Sequence, residues 1–160
     1  MQIKTLYDWL DEYAESHRNP TNKLFHWMCI PLIVFSIAGL LRAIPVGNDW
    51  INVTTVVGVL VLIYYAMLSL RLTIGMFFIF LLFYWAVEAL HYAAGDLQVP
   101  ILVAIFVVAW VGQFVGHHIE GARPSFFKDL QFLLIGPLWL LSHIYQRLNW
   151  LPRPMAAAAH

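Results

Sequence analysis

The chain has 160 residues, 61% hydrophobic and 11% charged, with a formal net charge of zero and a mean hydropathy of +0.72, a profile that excludes an ordinary soluble domain and points to a membrane protein. No basic run offers a nucleic-acid face. The single cysteine, Cys29, excludes an intrachain disulfide framework and a cysteine-rich zinc module, and its expected role is packing.

Residues 1–15 place Ile3, Leu6, Tyr7, Leu10, Tyr13 and Ala14 on one stripe, with Asp8, Asp11, Glu12 and Glu15 largely off it. This predicts an amphipathic helix lying on a membrane or on the helical bundle. The polar, acidic character of this stretch also argues against a cleaved signal peptide. In ESHRNPTNKLFHW, residues 15–27, Asn19 can cap a helix whose first turn takes Pro20, where a missing N–H costs nothing. The corner therefore falls between His17 and His26, and Asn22 lies one turn before His26 on the same face.

Uncharged apolar runs at residues 24–41, 50–70, 72–87 and 97–119 each approach the roughly 20 residues that cross a bilayer. In lipid the backbone must satisfy its own hydrogen bonds, so the expected class is an all-α integral membrane protein with four transmembrane helices. A fifth run, 130–146, is interrupted by Gly136 and Pro137 and reads as a broken or re-entrant C-terminal helix pair. The whole forms one membrane domain: helix and corner over 1–19, bundle over 20–148, tail over 149–160.

Lys4, Arg18, Lys23, Arg71, Arg123 and Lys128 fall on the side that carries the N-terminus and Arg42 on the other, which predicts a cytoplasmic N-terminus. An even number of crossings then returns His117 to the face where His17 and His26 begin. A re-entrant tail brings His143 to the same face, while His91 falls at the opposite end, where Glu88 can pair with Arg42 across the bundle. The Gly112-x-x-x-Gly116 spacing allows close approach of helix backbones beside this polar face.

The stretch from Trp110 to Pro124 turns one helical face from hydrocarbon to Gln113, His117 and Glu120. Ionisable groups at the end of a membrane helix mark a functional site, and neutral imidazoles suit iron, zinc or copper. The expected metal ligands are His17, His26, His117 and His143. Asn22, Gln113 and Glu120 are candidates to orient the imidazoles or act in catalysis, and Glu120 has the competing role of completing a triad of two imidazoles and one carboxylate. His118 points about 100° away from His117 and reads as a headgroup-level residue, and His160 ends an Ala-rich tail.

These residues resemble a known family. His17-x4-Asn22-x3-His26, together with Gln113-x2-Gly116-His117-x2-Glu120-Gly121-x2-Pro124, is similar to the motif pair of the Mpo1-like membrane family, and the likeness spans nearly the whole chain. The resemblance implies an Fe(II)-dependent dioxygenase of fatty acid α-oxidation: a long-chain 2-hydroxy fatty acid and O2 give the acid one carbon shorter and CO2. It carries over a ligand role for His17, His26, His117 and His143. Arg18, Lys23 or Arg123 would neutralise the substrate carboxylate, with the substrate's tail left in an apolar groove.

Rival readings are a zinc-dependent membrane lipid hydrolase, which would use the same ligands, and a non-enzymatic scaffold or carrier. A carrier would line a route through the midplane rather than gather polar groups at one end. A di-iron hydroxylase is set aside, because neither H-x-x-x-H nor H-x-x-H-H occurs. The expected location is a multi-pass membrane with the site on the cytoplasmic face. Short loops favour the bacterial inner membrane over the endoplasmic reticulum. Oligomeric state is not legible.

Overall fold

The computed structural model describes residues 4–121 and 126–151, the side chains of 126–131 excepted. Among the described residues six α-helices follow one another: α1 (Leu6–Glu15), α2 (Pro20–Arg42), α3 (Val53–Leu68), α4 (Leu70–Ala94), α5 (Gln98–Glu120) and α6 (Phe126–Arg147). No strand occurs among the described residues, in keeping with the all-α class.

The caps explain the boundaries. Thr5 and Asp8 form a reciprocal capping box at the start of α1. Asn19 accepts from the Thr21 N–H with Pro20 in the first turn of α2, and Asn52 and Thr55 cap α3 reciprocally. Ser69 is both the last cap of α3 and the first cap of α4, so the turn between them is a single residue. Gly121, at φ +74°, ends α5 in the left-handed conformation that glycine adopts without steric cost.

α2 and α5 form the axis of the molecule. They run antiparallel, and glycines bring them together: a Cβ on Gly39 would meet Leu102, on Gly112 the Cys29 sulfur, and on Gly116 the Asn22 side chain, all within 2.7 Å. The small-residue spacing of the sequence thus acts as expected of such motifs. α3 and α4 flank α2 on another side. At the end away from the α1–α2 corner, the buried Arg42 guanidinium holds Glu88 and reaches Asp49 at 3.1 Å, and Gln98 donates to the Gly39 carbonyl at 3.2 Å.

Among the described residues, two stretches are long and apolar enough to cross a membrane: Pro20–Arg42, and Leu70–Glu120, which comprises α4, a short 3-10 turn and α5. α3 is apolar but shorter. Four crossings are expected from the sequence; these two stretches meet the length and composition of a span. Large apolar side chains stand exposed along α3, α4 and α5, among them Met67, Leu82 and Val108.

α6 corrects the expectation of a broken C-terminal pair. It is one helix through Gly136 and Pro137, lying across the end of the bundle where α3 turns into α4. Pro137 has no N–H to give to the carbonyl one turn back, but the Tyr65 hydroxyl, brought in from α3, donates to the neighbouring Leu134 carbonyl at 2.6 Å. Gly136 admits Ile30 and the Tyr13 hydroxyl, each within 3.2 Å of where a Cβ would sit. The pair that suggested a break is a docking point instead.

Candidate metal centre

The corner between α1 and α2 is fixed before any imidazole is placed. The Glu120 carboxylate, at the end of α5, accepts from the backbone N–H groups of Arg18 and Asn19 and from the Asn22 side chain, at 2.8–3.1 Å. Three donors from a chain segment about a hundred residues away therefore converge on one carboxylate, a charge-assisted arrangement. Asn22 is fully buried and also donates to the Ser16 carbonyl. Its Oδ1 has no hydrogen-bond partner among the described residues.

His17 and His26 face each other across this corner. Nδ1 of His17 contacts the Tyr13 carbonyl at 2.5 Å and Nδ1 of His26 the Asn22 carbonyl at 2.9 Å. A carbonyl only accepts, so each ring carries a proton on Nδ1. The Nε2 atoms lie 2.8 Å apart. Burial pushes the His17 imidazole down to about 4, with the charge of Lys23 a lesser contribution in the same direction. In neutral rings the two Nε2 lone pairs point at each other.

Opposed lone pairs at that separation repel unless a cation accepts both. Two nitrogens bound at about 2 Å to one metal ion, at roughly a right angle, stand about 3 Å apart. His117 supplies a third ring, 4.9 Å from His26 and 5.4 Å from His17 between centroids. One nitrogen from each of the three lies within 4.8 Å of the others, so the trio could hold a metal ion. Glycine contacts between α2 and α5 bring His117 to residues far away in sequence.

The other expected site residues lie as follows. Gln113 is buried one turn before His117. His143 is half-buried, bonds through Nδ1 to the Trp139 carbonyl at 2.9 Å and packs on the Trp139 ring at 4.2 Å. The trio does not include it. Arg18 is exposed and Lys23 half-buried. Lys23 acts electrostatically on both His17 and His143. Arg123 and His160 lie outside the described residues. His118 is exposed, and His91 bonds to Gln98 at the far end of the bundle.

Two aromatic residues carry no site motif in the sequence yet wall the cluster. Tyr13 stacks on His17 at 4.1 Å with the rings parallel, and Trp139 lies 5.5 Å from His17 and 5.1 Å from Tyr13. Their signal is spacing: each precedes a histidine by one helical turn.

Comparison with known proteins places this geometry in context. The family model described as 2-hydroxy-palmitic acid dioxygenase Mpo1-like matches residues 3–148. The 2-hydroxy-palmitic acid dioxygenase MPO1 of Saccharomyces cerevisiae is 31% identical over 152 residues, covering 92% of this chain and 84% of the relative. No solved structure matches.

Proposed function

The chain belongs to the Mpo1-like family, and we propose that it is an Fe(II)-dependent dioxygenase that shortens long-chain 2-hydroxy fatty acids by one carbon from within a membrane. The observation that carries the metal reading is the 2.8 Å opposition of two Nε2 atoms whose rings are both protonated on the other nitrogen. His17, His26 and His117 would hold the ion; Fe(II) would supply the one-electron chemistry that ground-state O2 needs.

The chain's own residues do the rest. Tyr13 fixes the tautomer of His17 through its carbonyl and the ring plane through stacking. Glu120 and Asn22 lock the corner that carries His17 to the helix that carries His117. Lys23 binds the substrate carboxylate, with Arg18 and Arg123 as further cations at the same end of the bundle. Tyr13 and Trp139 keep bulk water from the imidazoles. The α3, α4 and α5 surfaces rich in exposed apolar side chains face lipid, and the imidazole end of the bundle lies at the cytoplasmic face.

The reaction balances without an outside reductant: R–CH(OH)–COOH and O2 give R–COOH, CO2 and H2O. The bond between the carboxyl carbon and the hydroxyl-bearing carbon breaks. The four electrons that reduce O2 come from these two carbons, three from the hydroxyl-bearing one. Purified, iron-loaded protein given 2-hydroxyhexadecanoic acid consumes O2 and yields the shortened acid and CO2 in equal amounts. Iron-loaded protein that forms no shortened acid contradicts the assignment.

A further inference from the structure

A groove of about 290 Å³ opens between α2, α3 and α4, with α6 as its floor; Val34, Ile37, Val57, Phe80 and Pro137 are among the residues that line it. We propose that it is the site of the substrate's acyl tail, an inference that rests on the dioxygenase reading above.

Three observations carry it. The first is chemical. Four lining residues bear hydroxyls, and every one is turned to a backbone carbonyl: Thr54 to Ala38, Thr55 to Asn52, Tyr65 to Leu134 and Tyr84 to Asp49, at 2.6–2.9 Å. All other lining side chains are hydrocarbon. The groove presents no free donor, so it is dry and suits a ligand with no polar group along its length.

The second is Gly58. Glycine is unfavourable inside a helix, and the helix glycines 39, 75, 112, 116 and 136 each have a packing reason, a neighbouring side chain within 3.0 Å of the Cβ position. Gly58, on α3, lines the groove with nothing within 4 Å of that position. It leaves room instead of allowing contact.

The third is continuity with the imidazoles. On α2, Ile30 lies one turn past His26 and one turn before Val34, the first groove residue, so the three follow one face of the helix, and Ile30 packs against Gly136 of α6 beside the groove's Pro137. On α2, the groove begins at Val34, two turns past His26, and ends at Leu41, about 22 Å from His26 at 1.5 Å per residue. A carboxylate and hydroxyl at the imidazoles therefore send an extended long chain along α2 into the groove, and a short chain does not reach it.

The test uses a 2-hydroxy long-chain acid with a photoreactive diazirine at its tail, cross-linked to the purified full chain in micelles and mapped by peptide mass. The expected label falls on groove residues of α3, α4 and α6, is suppressed by 2-hydroxyhexadecanoic acid and resists phosphatidylglycerol. Label suppressed equally by the phospholipid, or spread evenly over outward residues such as Val108, makes the groove a lipid-facing cleft and overturns the proposal. Gly58→Phe fills the groove and lowers kcat/KM for the sixteen-carbon substrate by at least about tenfold while an eight-carbon one is turned over within about twofold of wild type. An unchanged chain-length profile in a folded Gly58→Phe protein also overturns it. Wild-type protein that turns over no 2-hydroxy acid defeats the dioxygenase reading alone, because the competed cross-link decides the tail site independently of turnover.

Discussion

A Cβ on Gly116 would lie 2.5 Å from Oδ1 of Asn22, so α5 meets α2 at backbone distance between the turns that carry His117 and His26. The metal reading depends on that closeness, because the two imidazoles belong to helices about ninety residues apart in sequence.

Gly116→Ala forces these helices apart. Overpacking of this kind costs about 1–3 kcal/mol, and the larger effect falls on the site: metal affinity drops at least about tenfold, by analogy with disturbed ligand supports. Iron per chain after dialysis against a weak chelator reads the outcome. Gly58→Ala, which meets nothing within 4 Å, keeps wild-type loading.

Glu120→Ala releases the corner. Three donors lose their acceptor, and the predicted result is a tenfold to hundredfold loss of metal affinity, about the scale for residues that orient ligands, with helical content unchanged by circular dichroism. His143→Ala retains the metal, because His143 packs on Trp139 outside the trio.

The metal-free protein loses stability in acid. The His17 pKa is about 4 in the fold and 6.5 when exposed, so below 6.5 the unfolded chain binds a proton that the folded chain refuses. Stability falls as pH drops from 6.5 towards 4, by up to a few kcal/mol. Thermal melts of the metal-free protein across that window show it, and His17→Gln flattens the slope.

Arg42→Met leaves the Glu88 carboxylate buried without its partner. Such removals cost about 3–5 kcal/mol, whereas replacing both partners by apolar residues is often neutral. The single variant melts well below wild type, and Arg42→Met with Glu88→Leu recovers most of the loss. Metal content of the folded double variant matches wild type, since the pair lies at the other end of the bundle.

Much of this was legible in the residues themselves. Asn19 and Pro20 announce the start of α2, and the glycine spacing at 112 and 116 announces a close partner without saying which helix it is. An expected even number of crossings puts His117 at the corner containing His17 and His26, and the antiparallel packing of α5 on α2 brings the three together. Gly136–Pro137 misleads for a physical reason: a helix breaker in sequence is tolerated when a hydroxyl from elsewhere supports the weakened turn, and Tyr65, sixty-nine residues from Leu134, cannot be tied to it by any local pattern. Tyr13 sits one turn before His17, within reach of ordinary helix spacing, but the role of Trp139 is non-local: its own one-turn neighbour is His143, and only the packing of α1 on α6 brings it to His17.

The most direct measurement is an anaerobic Fe(II) titration of purified, metal-free protein, with X-ray absorption at the iron edge. The account predicts saturation at one iron per chain, nitrogen scattering from imidazole at about 2 Å, and loss of the site in each of His17→Ala, His26→Ala and His117→Ala while the helices remain folded. Iron bound with undiminished affinity by all three variants, or no saturable binding by the wild type, contradicts it.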